Sequence, residues 1–259
     1  MPVPLGSCPY CGSNDIDSVW PESNFDHCRS CLLYFRNPMP TPQELERLYQ
    51  HSWSMPETAR SETGGTSDRL AYVYARKLAR SLGRGDLRGL RILDFGAGRG
   101  AMLEALRSLG ARACGVEPFG FEYLQSKGFE AYRALSDVQG ALDGIVMIDV
   151  FEHLYNPWET LHQLGGMLAQ GAWIYLATAN PLGLNARINK GRWREARKGG
   201  HLLFPHPSTM ERILREAGFE WTKRLKWLIR YHQDQIRITV NYLMQAVGLD
   251  GELRYLAWR

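Results

Sequence analysis

The sequence predicts an α/β fold, a parallel sheet with helices on both faces, preceded by a small cysteine-rich unit. From residue 88 onward, short β-like runs alternate with helical stretches, several closed by glycine, which is the pattern of a βαβ architecture. Ahead of it, Cys8, Cys11, Cys28 and Cys31 form two Cys-x-x-Cys pairs. A chain of 259 residues suits one domain plus a small accessory module. Hydrophobic residues at 44% against 22% charged mark a folded chain. A net charge of +4 is too mild to imply nucleic-acid binding by itself. No apolar run approaches the roughly 20 residues that span a bilayer. The N-terminus has neither the basic start nor the apolar core of a secretory signal, so a cytoplasmic setting is expected.

Three segments follow. Residues 1–40 are loop-rich and hold the paired cysteines. Residues 41–84 read as a helical cover or linker. Thr41, Pro42 and Glu44 form a capping sequence for a short helix to about residue 50. Residues 51–66, with Pro56, Gly64 and Gly65, read as a flexible connection. Residues 67–82 place Leu70, Val73, Tyr74, Leu78 and Leu82 on one helical face, opposite Arg69, Arg76, Lys77 and Arg80.

Residues 85–259 form the main domain, with strands expected at 91–95, 113–117, 130–133, 144–150, 173–178 and 219–225. Helices are expected at 101–109 and 121–127, from Asn156-Pro157 onward, and from a capping box at Ser208–Glu211 to Gly218. Residues 233–246 read as a helix and 253–258 as a last strand. A basic insertion is expected around 183–205.

Two features carry chemistry. The cysteine pairs are separated by sixteen residues; each tight turn aims two sulfurs at one ion, and together they complete a tetrahedral thiolate site for which zinc is the default metal. Gly12 eases the first turn. A redox dithiol would need only one pair, beside a βαβ unit. His27, next to Cys28, is surplus to a filled shell. The second feature is Asp94-Phe95-Gly96-Ala97-Gly98-Arg99-Gly100, between a strand and a helix. Glycines there let a ligand approach the backbone, but a dinucleotide site has its third glycine one residue later. Seventeen residues past Gly100, Glu117 ends the second strand, where a carboxylate can accept both hydroxyls of a ribose.

With these residues in view, ILDFGAGRG, GVEP and DGIVMIDVFEHLYNP resemble the class I S-adenosylmethionine-dependent methyltransferases of the small-molecule type, over about residues 88–225. The cysteine unit, Arg36-Asn37-Pro38 and the helix ending in Leu48-Tyr49 resemble the zinc-bearing subgroup that includes sugar C-methyltransferases. The resemblance implies a Rossmann-like sheet with an N-terminal zinc ribbon. It implies that Asp94 and the backbone of Gly96, Ala97, Gly98 and Gly100 face the methionine moiety of the cofactor. Glu117 would bind the ribose, Pro118 or Phe119 would lie beside the adenine, and the turn at Ala134–Asp137, including Leu135, would close over it. Asp149 and Val150 would line the sulfonium. Arg99, where relatives have a small or apolar residue, is expected to point to solvent.

Methyl transfer to most acceptors also requires a base. Of seven histidines, His153 is best placed, four residues past Asp149, with an expected pKa of roughly 6 to 7; the plainer reading is that Glu152 and His153 pin the loop by hydrogen bonds. His201 and His206, flanking HLLFPH, are the other candidates, and Tyr49, Tyr72 and Tyr74 can reach from the cover. Residues 187–198 carry six basic residues against one acid, with Trp193 among them. They read as a solvated insertion, or as a grip for a phosphate, nucleotide-sugar or RNA. The expected acceptor is thus a small molecule, anionic or phosphate-bearing if that stretch contacts it. An RNA methyltransferase is disfavoured: residues 8–31 hold Arg29 against Asp15, Asp17, Glu22 and Asp26, and IDVF lacks the Asn/Asp-Pro-Pro-Tyr/Phe signature. A non-catalytic scaffold is disfavoured by intact Asp94, Glu117 and Asp149.

Overall fold

The structure, a computed structural model, describes residues 3–54, 68–229 and 235–259. The expected connection at 51–66 lies outside these from residue 55 onward. Two sheets organise the chain. The larger has seven strands in the order β10-β11-β8-β7-β4-β5-β6. Its strands are β4 (Arg91–Phe95), β5 (Arg112–Val116), β6 (Glu130–Tyr132), β7 (Leu142–Ile148), β8 (Leu168–Ala179), β10 (Trp221–Arg224) and β11 (Glu252–Trp258). Every expected strand is present, but the sheet is mixed: β11 runs antiparallel to both neighbours, between β8 and β10. Its side chains explain why it enters there. Leu253, Tyr255 and Ala257 join one core; on the other face Leu256 joins the second core and Arg254 is buried in ion pairs with Asp250 and Glu252, so both faces suit an inner position.

That alternation divides the whole sheet. Leu93, Cys114, Ile145, Met147, Ile174 and Leu176 face α5 (Pro157–Met167) and α8 (Pro207–Glu216). Ile92, Ala113, Val146, Tyr175 and Ala177 face α2 (Asp68–Ser81), α3 (Ala101–Ser108) and α4 (Phe121–Ser126). In α2 the buried stripe is Ala71, Tyr74, Ala75, Leu78 and Ala79. It is rotated from the expected Leu70–Val73 face, because alanines let α2 and α3 approach closely. Helix α8 begins two residues before the expected box: Nδ1 of His206 accepts from the Ser208 N–H at 3.2 Å, and Pro207 fills the first turn.

The smaller sheet, in the order β1-β2-β3-β9, joins β1 (Ile16–Trp20), β2 (Phe25–Cys28) and β3 (Leu33–Arg36) to β9 (Leu203–Pro205). The last strand comes from the far end of the basic insertion and was not expected from the sequence. The insertion, with α6 (Leu184–Asn189) and α7 (Arg194–Arg197), therefore packs on the cysteine unit. Trp193 is 3% exposed, edge-on to Trp20 at 6.0 Å and tilted against Phe204 at 4.9 Å. The reading of Trp193 as a ligand-gripping aromatic is corrected: its ring is core. Arg36 ties the two parts together. Its guanidinium donates to the carbonyls of Ser23, Ala196, Lys198 and His201, each within 2.9 Å. Among the described residues, no helix is long and apolar enough to cross a membrane.

Replacing Arg36 with Met should strand four carbonyls and lower stability by about 2–4 kcal/mol. Urea titration followed by tryptophan fluorescence checks this, and the loss should be accompanied by increased protease sensitivity at residues 187–200.

Candidate active site

The C-terminal ends of β4, β5 and β7 meet at one edge of the sheet, with the glycine turn between them. Gly96 has φ +80, and a side chain there would collide with Val150, its Cβ only 2.3 Å from the valine methyl. Val150 thus packs on the turn, which brings the end of β7 against the end of β4. Over Gly98 (φ +52) the space is open. The Gly98 N–H donates to Glu117 at 2.9 Å, and the Phe119 N–H donates to its other oxygen at 3.3 Å. Pro118 is exposed and Phe119 half-buried beside Glu117, and Leu135 packs under the turn after β6. Arg99 departs from expectation: its guanidinium lies between the rings of Trp53 (4.9 Å) and Tyr123 (5.0 Å), not in solvent.

Acid dominates this edge. Asp94 is 4% exposed, Glu117 8% and Glu152 1%. Burial, reinforced by the Glu117 charge, pushes Asp94 up to about 7. Burial raises Glu117 as well. Asp149, at φ +54, keeps part of its surface in water; lost solvation and the neighbouring Glu152 raise it and Lys198 opposes them, while burial pushes Glu152 up to about 7. Removing carboxylates from water without countercharge favours their neutral forms. The arrangement therefore favours a positively charged occupant.

The histidines divide. His153 and His201 stand ring edge to face at 4.5 Å, and ligand atoms of Glu152, His153 and His201 all lie within 4.8 Å of one another. The Glu152 carboxylate accepts from Thr178 Oγ1 at 2.8 Å. Nδ1 of His153 is 2.9 Å from the Gly200 carbonyl and 2.9 Å from the Tyr49 hydroxyl. A carbonyl can only accept, so Nδ1 carries the proton and Nε2 keeps its lone pair. Burial lowers His153 to about 4, not the roughly 6 to 7 expected of an accessible imidazole. His201, 2% exposed, is lowered further by burial and by neighbouring positive charge; its Nδ1 has no hydrogen-bond partner, and the nearest carboxylate oxygen is that of Glu195 at 3.8 Å. Glu195 pairs with Lys198 at 2.7 Å. His206 stands apart from this group as the α8 cap. Tyr74 is buried, its hydroxyl donating to Glu252 at 2.7 Å, and Tyr72 is exposed. Sequence reasoning missed Glu195 and Lys198, which it merged into a surface charge run, and Trp53, for which it had no signal.

In the cysteine unit, the Sγ atoms of Cys8 and Cys31 are 3.5 Å apart and those of Cys11 and Cys28 3.6 Å. All four lie within 4.8 Å of one another. A disulfide would bring sulfurs to about 2.05 Å, whereas a tetrahedron with Zn–S of about 2.3 Å has edges of about 3.8 Å.

Comparison with known proteins accords with this geometry. Residues 67–223 match the model of a family described as a methyltransferase domain. This chain belongs to that family. The resemblance drawn from the motifs, to class I S-adenosylmethionine-dependent methyltransferases, is borne out, and with it the reading as an enzyme of that type. Among curated proteins, the ubiquinone biosynthesis O-methyltransferase of Agrobacterium fabrum is 26% identical over 205 residues, covering 69% of this chain and 82% of the relative. That of Rhizobium leguminosarum bv. trifolii is 26% identical over 182 residues, covering 62% and 72%. Among solved structures, a methyltransferase from Archaeoglobus fulgidus superposes with a TM-score of 0.57 at 21% identity, over 77% of this chain and 97% of the other. The 1,6-didemethyltoxoflavin-N1-methyltransferase of Burkholderia thailandensis gives 0.55 at 16% identity, over 88% and 95%. These likenesses bear on the fold.

His153 should remain neutral, protonated on Nδ1, down to about pH 4. Nitrogen-15 NMR of the imidazoles checks this: a His153 signal that titrates between pH 7 and 6 would contradict the burial that lowers it, and a proton found on Nε2 in the neutral ring would contradict the hydrogen-bond assignment.

Proposed function

We propose that the protein transfers the methyl group of S-adenosylmethionine to a small-molecule acceptor, such as a sugar, nucleotide-sugar or secondary-metabolite intermediate. The observation that carries this reading is the set of buried acids around the open glycine turn. S-adenosylmethionine brings a sulfonium and an ammonium, countercharges for Asp94, buried beside Glu117, and for the more exposed Asp149, which Lys198 offsets in part. In this reading the Gly96, Ala97, Gly98 and Gly100 backbone and Asp94 hold the methionine moiety. Glu117 accepts the ribose hydroxyls, and Pro118, Phe119 and Leu135 flank the adenine. Asp149 and Val150 border the reactive sulfur.

The cofactor supplies an already activated methyl group. The chain must align the acceptor and, for a protic nucleophile, remove its proton. His153 is fixed with its Nε2 lone pair available, and His201 abuts its ring, so these two are the preferred bases. His206 is the weaker candidate because its Nδ1 is committed to a helix cap. Lys198, held by Glu195 beside them, suits an anionic acceptor. The four cysteine sulfurs fit a structural zinc, which would fix the two turns of the ribbon with no open position for chemistry.

Calorimetry with S-adenosylhomocysteine tests the cofactor reading. Binding is expected, with Glu117→Ala weakening it roughly 10- to 100-fold through loss of two charge-assisted hydrogen bonds. Gly98→Val should abolish it, because a side chain there projects into the ligand's space. Preferential binding of NAD would overturn the assignment.

The purified protein should carry about one zinc per chain. Elemental analysis checks the content. A chelator should lower the melting temperature of residues 3–36 before that of the main sheet, whereas metal-free protein with four freely reactive thiols would refute the site.

A further inference from the structure

Two charged residues beside the histidine pair, Glu195 and Lys198, take no part in the cofactor reading. Helix α7 carries Glu195, and a turn follows it in which the His201 N–H donates to the Lys198 carbonyl at 3.1 Å. Oε1 of Glu195 is held by Arg194 at 2.8 Å. Its Oε2 stands 2.7 Å from the Lys198 ammonium and 3.8 Å from Nδ1 of His201. One carboxylate oxygen therefore lies between an ammonium that it binds and an imidazole nitrogen that it does not reach.

His201 is 2% exposed, and its Nδ1 is enclosed with no hydrogen-bond partner, an unfavourable state for a buried polar atom. The neighbouring carbonyls are already engaged. Those of Ala196, Lys198 and His201 accept from Arg36, and that of Gly200 accepts from His153. Glu152, the other carboxylate in reach, accepts from Thr178. Lys198, Arg36 and Arg194 add positive charge on the same side. Glu195 is thus the acceptor toward which Nδ1 can turn. Facing a carboxylate oxygen, Nδ1 carries the proton and Nε2 the lone pair, since the other tautomer would set two lone pairs against each other.

Lys198 is what keeps that oxygen engaged elsewhere. The gap from Oε2 to Nδ1 exceeds a charge-assisted hydrogen bond by only about 1 Å. Arg194 anchors the other oxygen, so the carboxylate has to turn rather than leave. A lysine ammonium is a point charge on a flexible stem, which a second anion can draw off its partner. The side chains of Lys198 and Glu195 are 23% and 15% exposed, so Lys198 is within reach of an incoming ligand while solvent screens the pair only in part.

We propose that Lys198 is an anion subsite that gates His201: a carboxylate or phosphate of the acceptor draws the ammonium from Glu195, and the freed Oε2 closes onto Nδ1 of His201. Glu195 is a positioning residue. A carboxylate on Nδ1 holds the ring in one tautomer and strengthens Nε2 as a proton acceptor. It also stabilises the imidazolium formed when the acceptor's proton moves to Nε2. The base gains strength only when an acceptor of the right charge is seated. The proposal rests on the small-molecule reading given above and narrows it to acceptors that carry an anionic oxygen group.

The test reads the His201 imidazole of the full chain by proton and nitrogen-15 NMR. In the wild type the neutral ring should carry its proton on Nδ1; a proton on Nε2 overturns the proposal. Lys198→Met should move the Nδ1 proton downfield, as a shorter bond to Glu195 requires. The same replacement made in a Glu195→Gln background should give roughly half that move or less. Equal moves in the two backgrounds would reflect only the lost Lys198 charge and would overturn the gate. Inorganic phosphate and acetate, titrated separately against chloride of equal ionic strength, should reproduce the downfield move in the wild type and not in Lys198→Met. A response to either supports the gate and names the anionic group. A wild type that responds to neither overturns it, even where a variant fails to fold. These readouts need no cofactor, so their failure leaves the calorimetric test with S-adenosylhomocysteine, and the cofactor reading, standing.

Discussion

Carboxyl groups held out of water, with too little positive charge beside them, are the constraint around which the active edge is arranged. Asp94, Glu117 and Glu152, with the more exposed Asp149 among them, sit at or just beyond the ends of β4, β5 and β7. Hydrogen bonds from Gly98, Phe119 and Thr178 relieve part of the cost, and partial neutralisation relieves more. Neither removes the preference for a cation. A parallel sheet is suited to holding such a site: its strands end side by side, the turns beyond them are free of ladder hydrogen bonds, and strand order determines which side chains become neighbours.

The ribbon contributes to the same edge indirectly. Arg36 fastens residues 196–201 by their carbonyls, and β9 pairs with β3 immediately after them. His201 is therefore set by the cysteine unit as much as by the main sheet. The Leu202 N–H donates to the Glu152 carbonyl at 2.6 Å, so the segment carrying His201 is sewn to the segment carrying His153. Loosening the ribbon should disturb the histidine pair before it disturbs Asp94 or Glu117, because no ribbon strand pairs with β4 or β5.

Much of this was legible in the sequence. Apolar runs, glycine stops and capping sequences located the main-sheet strands and the helices up to α5, α8 and α9 (Gln235–Val247). The Asp-x-Gly-x-Gly turn and the acid at the end of the second strand pointed to the sheet edge to which we assign the cofactor. What escaped depended on contacts distant in sequence. The inner position of β11 depends on packing against two cores. The strand β9 is only three residues long, two of which, Leu203 and Phe204, look like any apolar pair. Trp193 sits among basic residues, and only the fold shows that its ring turns inward while the charges face out. His153 illustrates the limit for chemistry: its position near Asp149 was readable, whereas its low pKa comes from burial under Gly200 and Tyr49.

The central claim is that buried acids at this edge wait for a cationic ligand, and proton exchange on binding measures it most directly. Calorimetric titration with S-adenosylmethionine near pH 6.5, in buffers of different ionisation enthalpy, gives the number of protons moved. With Asp94 and Glu152 raised to about 7, the free protein holds protons there that a cation must expel. Net proton release is predicted, larger for S-adenosylmethionine than for S-adenosylhomocysteine, which lacks the sulfonium charge. Binding with no proton release, or with net uptake, would contradict the account.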